Sequence, residues 1–140
     1  MPRKPTASQP EPSGISDEPG DLGPAFERLR KAAEELPQVE AHIWYGTPAL
    51  KVGKKSFCRV KDARTVVLMM DMEEKEMLMA AAPELFFETD HYKGWPAVLL
   101  RIHEVSAEEL AHRLERAWLR VAPKKLVQEW RGRNHPIPSD

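Results

Sequence analysis

The sequence predicts an α+β two-layer sandwich, with an antiparallel-rich sheet covered by helices on one face. Two observations predict it. Apolar residues recur at helical spacing near both ends of the chain, while short β-prone runs fill its middle. The resulting order is one helix, four strands, a helix, two strands and then helices, which suits a sheet layer packed against a helix layer. A chain of 140 residues is long enough to bury roughly 70% of its unfolded surface, so such a core needs no disulfide or metal staple.

Phe26, Leu29, Ala33 and Leu36 share one helical face and Pro37 stops the run, which predicts an amphipathic helix over 25–36. Val39 to Tyr45 and Pro48 to Val52 are short β-prone stretches about Gly46. Gly53-Lys54-Lys55 then separates Leu50-Lys51-Val52 from Ser56 to Lys61, where apolar and basic residues nearly alternate, so a hairpin with a basic tip is expected. Thr65 to Met70 is a continuous apolar run that belongs at the centre of the sheet. A helix over 72–82 stops before Pro83, and a short strand follows at 86–88. After the polar-aromatic loop Asp90 to Pro96 comes a second apolar strand, Ala97 to Ile102. Ser106 with Glu109 forms a capping box. Behind it Leu110, Ala111, Leu114, Ala117, Trp118 and Val121 make an unbroken apolar face. Pro123 interrupts that helix and opens a further short one, Lys124 to Trp130, as its first residue.

Six of the 13 prolines fall in residues 1–24, among Ser, Gly, Glu and Asp. Such a segment buries too little apolar surface to offset its ordering entropy. A disordered tail is therefore expected over 1–21, a domain over 22–131 and a flexible tail over 132–140. There is one cysteine, Cys58, read as a small buried strand residue rather than a nucleophile. With no cysteine framework, no long apolar run and no apolar signal core near Met1, neither secretion nor membrane spanning is expected. A reducing cytoplasm is the expected location.

The formal net charge is only -1, but the charges are segregated. Lys51 to Arg64 holds six basic residues against Asp62, and Arg113 to Arg133 holds seven against Glu115 and Glu129. Asp71 to Asp90 is the reverse, seven acids against Lys75. If the two basic segments share a face they form a footprint for phosphate; otherwise each is a solvated face. The acidic stretch lacks the spacing of a calcium loop and reads as a solvated helix face.

Five histidines show no metal-ligand spacing, and no P-loop, dinucleotide-binding or nucleophile-elbow motif is present. No metal, cofactor or catalytic residue is expected. The cluster with a chemical character is Asp90-His91-Tyr92-Lys93-Gly94-Trp95-Pro96. It could stack on a base and hold a phosphate, or Tyr92 and Trp95 could fold back to cap the sheet.

Three blocks, Trp44 to Phe57, His91 to Val98, and Ala117-Trp118 with Ala122 to Leu126, together resemble the MmcQ/YjbR family, in order from about residue 22 to 130. The resemblance implies a frataxin-like (CyaY-like) fold and DNA binding through a "double wing" of hairpin loops, and it supplies no catalytic residue. Frataxin kinship of the fold does not import iron binding.

The leading expectation is a monomeric, non-catalytic DNA-binding protein of low sequence specificity. Its contacts, mainly to phosphate, would come from Lys51, Lys54, Lys55, Arg59, Lys93, Lys124 and Lys125, with Tyr92 and Trp95 for stacking. The alternatives are a small-ligand or enzyme pocket at His91, Tyr92 and Trp95 with Lys51 binding an anionic group, or a protein-interaction module.

Overall fold

The computed structural model describes residues 21–134; of the tails expected over 1–21 and 132–140, all but residue 21 and residues 132–134 lie outside the described residues. The strands are β1 (Val39–Trp44), β2 (Thr47–Val52), β3 (Lys55–Asp62), β4 (Thr65–Met69), β5 (Phe86–Phe87) and β6 (Ala97–Arg101). The helices are α1 (Gly23–Ala32), α2 (Met72–Ala81), α3 (Ala107–Val121) and α4 (Lys124–Asn134). One sheet runs β1-β2-β3-β4-β6-β5 with every neighbouring pair antiparallel. The expected element order and the central place of β4 are both found.

Local chemistry sets the turns. Tyr45-Gly46 joins β1 to β2 with φ of 53° and 81°, the doubly positive turn that matches strand twist. Gly53, at φ 61°, opens the two-residue turn between Val52 and Lys55. Between Leu50 and Lys51 the register slips, so that Leu50 faces Cys58 while Lys51 faces Ser56. Phe57 is the extra residue of this bulge, which is how two consecutive residues, Phe57 and Cys58, are both buried.

Each face of the sheet has its own cluster. On one, Leu50, Cys58, Leu68 and Val98 form a row across four strands and pack with Leu29, Leu110, Leu114 and Trp118 of α1 and α3. Each large side chain buried there is worth about 1.5–3 kcal/mol against its exposed state. The Trp118 indole donates to the Pro37 carbonyl at 3.2 Å, and Arg28 donates to the carbonyls of Ile102 and Val105. On the other face His42, Ala49, Arg59, Val67, Leu99 and Phe87 lie opposite one another across all six strands. Its cluster of Val67, Tyr92, Ala97 and Leu99, with Met69 and Phe87 beside it, contains no residue of the four helices.

Several boundaries differ from expectation. The α1 helix stops at Ala32 and tightens into turns through Leu36, since Pro37 disfavours helical backbone just before it. Pro123 stands one residue ahead of α4, its carbonyl accepting from Val127 N–H, and α4 continues through Gly132 to Asn134, past the expected boundary at 131. The stretch 71–90 is not simply a solvated face. Glu74 is buried and paired with Arg113 at 2.8 Å and Arg116 at 3.1 Å, and Lys75 is wholly buried. The carboxylate of Asp71 caps α2 by accepting from Glu74 N–H at 2.8 Å.

Candidate functional sites

The fold brings together the two basic segments that lie 70 residues apart. A β-carbon placed on Gly53 would lie 4.0 Å from the Pro123 ring, so the β2–β3 hairpin tip abuts the start of α4. Lys54 and Lys55 of the tip and Lys124 and Lys125 of the helix start are all exposed. Among the described residues none of the four has a carboxylate within 4.0 Å. The N–H groups of the first turn of α4 add a partial positive charge at the same corner. Lys51 is different: it reaches Glu40 across the β1–β2 pair at 3.9 Å.

A second site lies on the sheet face opposite α1 and α3. Trp44, the last residue of β1, and Tyr45, from the turn after it, together with His91, Tyr92 and Trp95 from the loop before β6, wall a cavity of about 260 Å³ floored by Arg59, Val67, Met69 and Ala97. Tyr45 holds a left-handed backbone (φ 53°), unusual for an aromatic residue, that sets its ring 5.1 Å from Trp44 and 5.4 Å from the Arg59 guanidinium. The opposite wall stacks His91 on Trp95 at 5.6 Å.

Lys75 fixes that wall from behind. Its buried ammonium donates to the carbonyls of Tyr92 at 2.8 Å and Trp95 at 2.9 Å and pairs with Glu88 at 2.8 Å. All three ammonium hydrogens are thus used, the condition under which a buried charge is tolerable.

Arg59 has no such carboxylate. Its Nη1 donates to Thr47 Oγ1 at 3.0 Å and the Val60 carbonyl at 3.3 Å, and its Nη2 to the Tyr92 hydroxyl at 2.8 Å. No acidic side chain among the described residues lies within 4.0 Å of it.

The residues singled out in the sequence therefore divide. Lys54, Lys55, Lys124 and Lys125 form the basic corner, and Arg59, His91, Tyr92 and Trp95 form the pocket. Lys93 is exposed on the loop and Lys51 is absent from the pocket lining, where Arg59 is the basic side chain instead. Tyr92 is only 6% exposed, and its ring caps the sheet rather than offering a stacking surface, whereas Trp95 remains 44% exposed. Trp44, Tyr45 and Lys75 were missed. The signal for the first two was an aromatic pair beside the Gly46 turn. Lys75 had no signal beyond being the lone base in an acidic run.

Other chemistry is sparse. Burial pushes the Cys58 thiol well above its ordinary range, with a partial offset from the Leu50 backbone, so it is a core residue rather than a nucleophile. His42 Nε2 and Ser56 Oγ are 2.7 Å apart, but neither lines the aromatic pocket. Among the described residues no three His, Cys, Asp or Glu side chains are grouped to hold a metal, and no helix is long and apolar enough to cross a membrane.

These features define an α+β protein with one helix-covered sheet face, one aromatic-lined face and a basic corner that has no carboxylate partner among the described residues. The chain belongs to the YjbR family, whose pattern matches residues 34–120. It is 42% identical over 62 residues to the uncharacterised protein Mb2600 of Mycobacterium bovis and, at the same identity, to the uncharacterised protein Rv2570 of Mycobacterium tuberculosis. That stretch covers 44% of this chain and 48% of each relative, so the matched stretch spans about half the length of these relatives. The fold is also similar to the crystal structure of Deinococcus radiodurans protein DR2400, a DUF419 domain, with a TM-score of 0.60 and 24% identity over 77% of this chain and 86% of that one.

Proposed function

We propose that the protein is a non-catalytic, monomeric DNA-binding protein of a reducing cytoplasm that grips phosphate with low sequence specificity. The observation that carries this reading is the meeting of the hairpin tip with the start of α4, which sets Lys54, Lys55, Lys124 and Lys125 around one corner with no carboxylate partner among the described residues. Lysines neutralise phosphates as point charges without reading bases. In this reading the hairpin is one wing of the double wing, and the helices packed on one face of an antiparallel sheet accord with a frataxin-like kinship. Anisotropy titrations of duplex and single-stranded oligonucleotides at two salt concentrations test it. Affinity should fall steeply with salt and vary little with sequence, by about 0.9 in the slope of log K for each phosphate neutralised on duplex DNA. Absence of binding at low salt removes the reading.

A further inference from the structure

We propose that the aromatic pocket on the open sheet face binds a small aromatic carboxylate, with Arg59 and Tyr92 holding the anion and Trp44, Tyr45, His91 and Trp95 enclosing the ring. This site is separate from the basic corner, none of whose four lysines lines it.

Three observations converge. First, Arg59 is a half-buried guanidinium with no carboxylate partner among the described residues. Second, its donors are only partly used. A guanidinium has five N–H hydrogens; three are engaged, by Thr47, Val60 and Tyr92. The Tyr92 hydroxyl accepts from Nη2 and so keeps its own hydrogen to donate. One Nη2 hydrogen and the phenol hydrogen remain, on two residues that both line the pocket, and together they suit the two oxygens of a planar carboxylate. Third, the walls are π faces held in place: Tyr45 by a positive-φ turn, and the His91 and Trp95 wall by Lys75. The cavity of about 260 Å³ lies below the ~300–1,000 Å³ of clefts for drug-sized ligands, which limits the ring to one or two fused cycles.

The test uses the full chain and the indole N–H signals in NMR, since Trp44 and Trp95 line the pocket while Trp118 and Trp130 are buried in the other cluster. The probes are benzoate and naphthoate, their neutral carboxamides, and inorganic phosphate. Millimolar carboxylate should shift the Trp44 and Trp95 signals and leave the other two in place. The carboxamides should bind about tenfold or more weakly, because a neutral group forgoes the charge-assisted bonds. Arg59→Met should erase the preference for carboxylate over carboxamide. Trp95→Ala, which trims a partly exposed wall, should weaken both probes alike and stands as the second variant if Arg59→Met does not fold. The double change Lys54→Glu and Lys55→Glu should leave carboxylate binding intact whether or not it affects DNA, so the two sites fail or succeed independently. The proposal is overturned if neither carboxylate moves the pocket indoles, if the carboxamides bind equally, if folded Arg59→Met keeps the preference, or if phosphate binds as tightly as benzoate.

Discussion

The α2 segment and the hairpin–α4 corner are both rich in charge, yet they use it in opposite ways. In α2 the decisive charges are inside: Glu74 between Arg113 and Arg116, and Lys75 among Tyr92, Trp95 and Glu88. At the corner four lysines face water and find no carboxylate among the described residues. Charge that is paired and desolvated holds structure together, and removing one partner strands the other. Charge that is left unpaired on a surface contributes little to folding and is free for a ligand. Segment totals hide this distinction, because the two buried charges of the acidic run are adjacent residues of opposite sign.

The largest effect should follow Lys75→Met, which keeps the volume but leaves two carbonyls and the Glu88 carboxylate without their donor. Breaking a buried pair costs about 3–5 kcal/mol. The lower end applies here, since Glu88 is partly exposed and regains water. A drop in melting temperature on the order of 10 °C is expected, with faster amide exchange over 90–96. An unchanged melting curve would show that α2 is no anchor. Next in size is Glu74→Gln, which leaves Arg113 with only Glu109 and removes the charge partner of Arg116. Here a loss of about 1–3 kcal/mol is expected, read by urea denaturation with an unchanged slope.

Cys58 sharpens the contrast from the side of the core. Its thiol is inaccessible and held protonated, so it should resist alkylation in the folded protein and react once urea unfolds the chain. The sign of its pH dependence follows. Above its ordinary value of 9.0 the unfolded thiol gives up its proton while the folded one retains it. The unfolded state then binds fewer protons, and this group's contribution to stability falls as pH rises further. Alkylation of the native protein at the unfolded rate would contradict the assignment.

The fold was largely legible because it rests on periodicity and turn chemistry. The apolar face of α3, its Ser106 cap and the basic hairpin are each local patterns, and each is present. What was not legible depends on chain segments meeting at a distance. Lys75 is buried only because the Tyr92 and Trp95 carbonyls, 17 and 20 residues away, converge on it. Arg59 sits in an interior strand between buried Cys58 and Val60, so its side chain lies on the opposite sheet face. Which groups meet it there depends on Tyr92, 33 residues on. The aromatic loop was readable as chemistry, but its division into a buried Tyr92 and an exposed Trp95 depends on that packing.

The smallest effect on stability should come from the double change Lys54→Glu and Lys55→Glu, and its smallness tests the corner. Both side chains are exposed, one in the turn and one at the first position of β3, and neither has a carboxylate partner among the described residues to lose. Surface changes of this kind stay within about 0.5 kcal/mol. The sign is also fixed: four like charges at one corner repel, so reversing two replaces repulsion with attraction toward Lys124 and Lys125. At low salt the variant should therefore melt at or slightly above the parent, and the gap should close as salt screens it. DNA retention should vanish in the same variant at low salt. Lys124→Ala with Lys125→Ala, which removes charge without reversing it, should instead reduce the salt slope by ~1–2 and weaken all sequences alike. A destabilised double-Glu variant would place these lysines with α2, as structural charge, and retained DNA binding would remove the corner as the phosphate site.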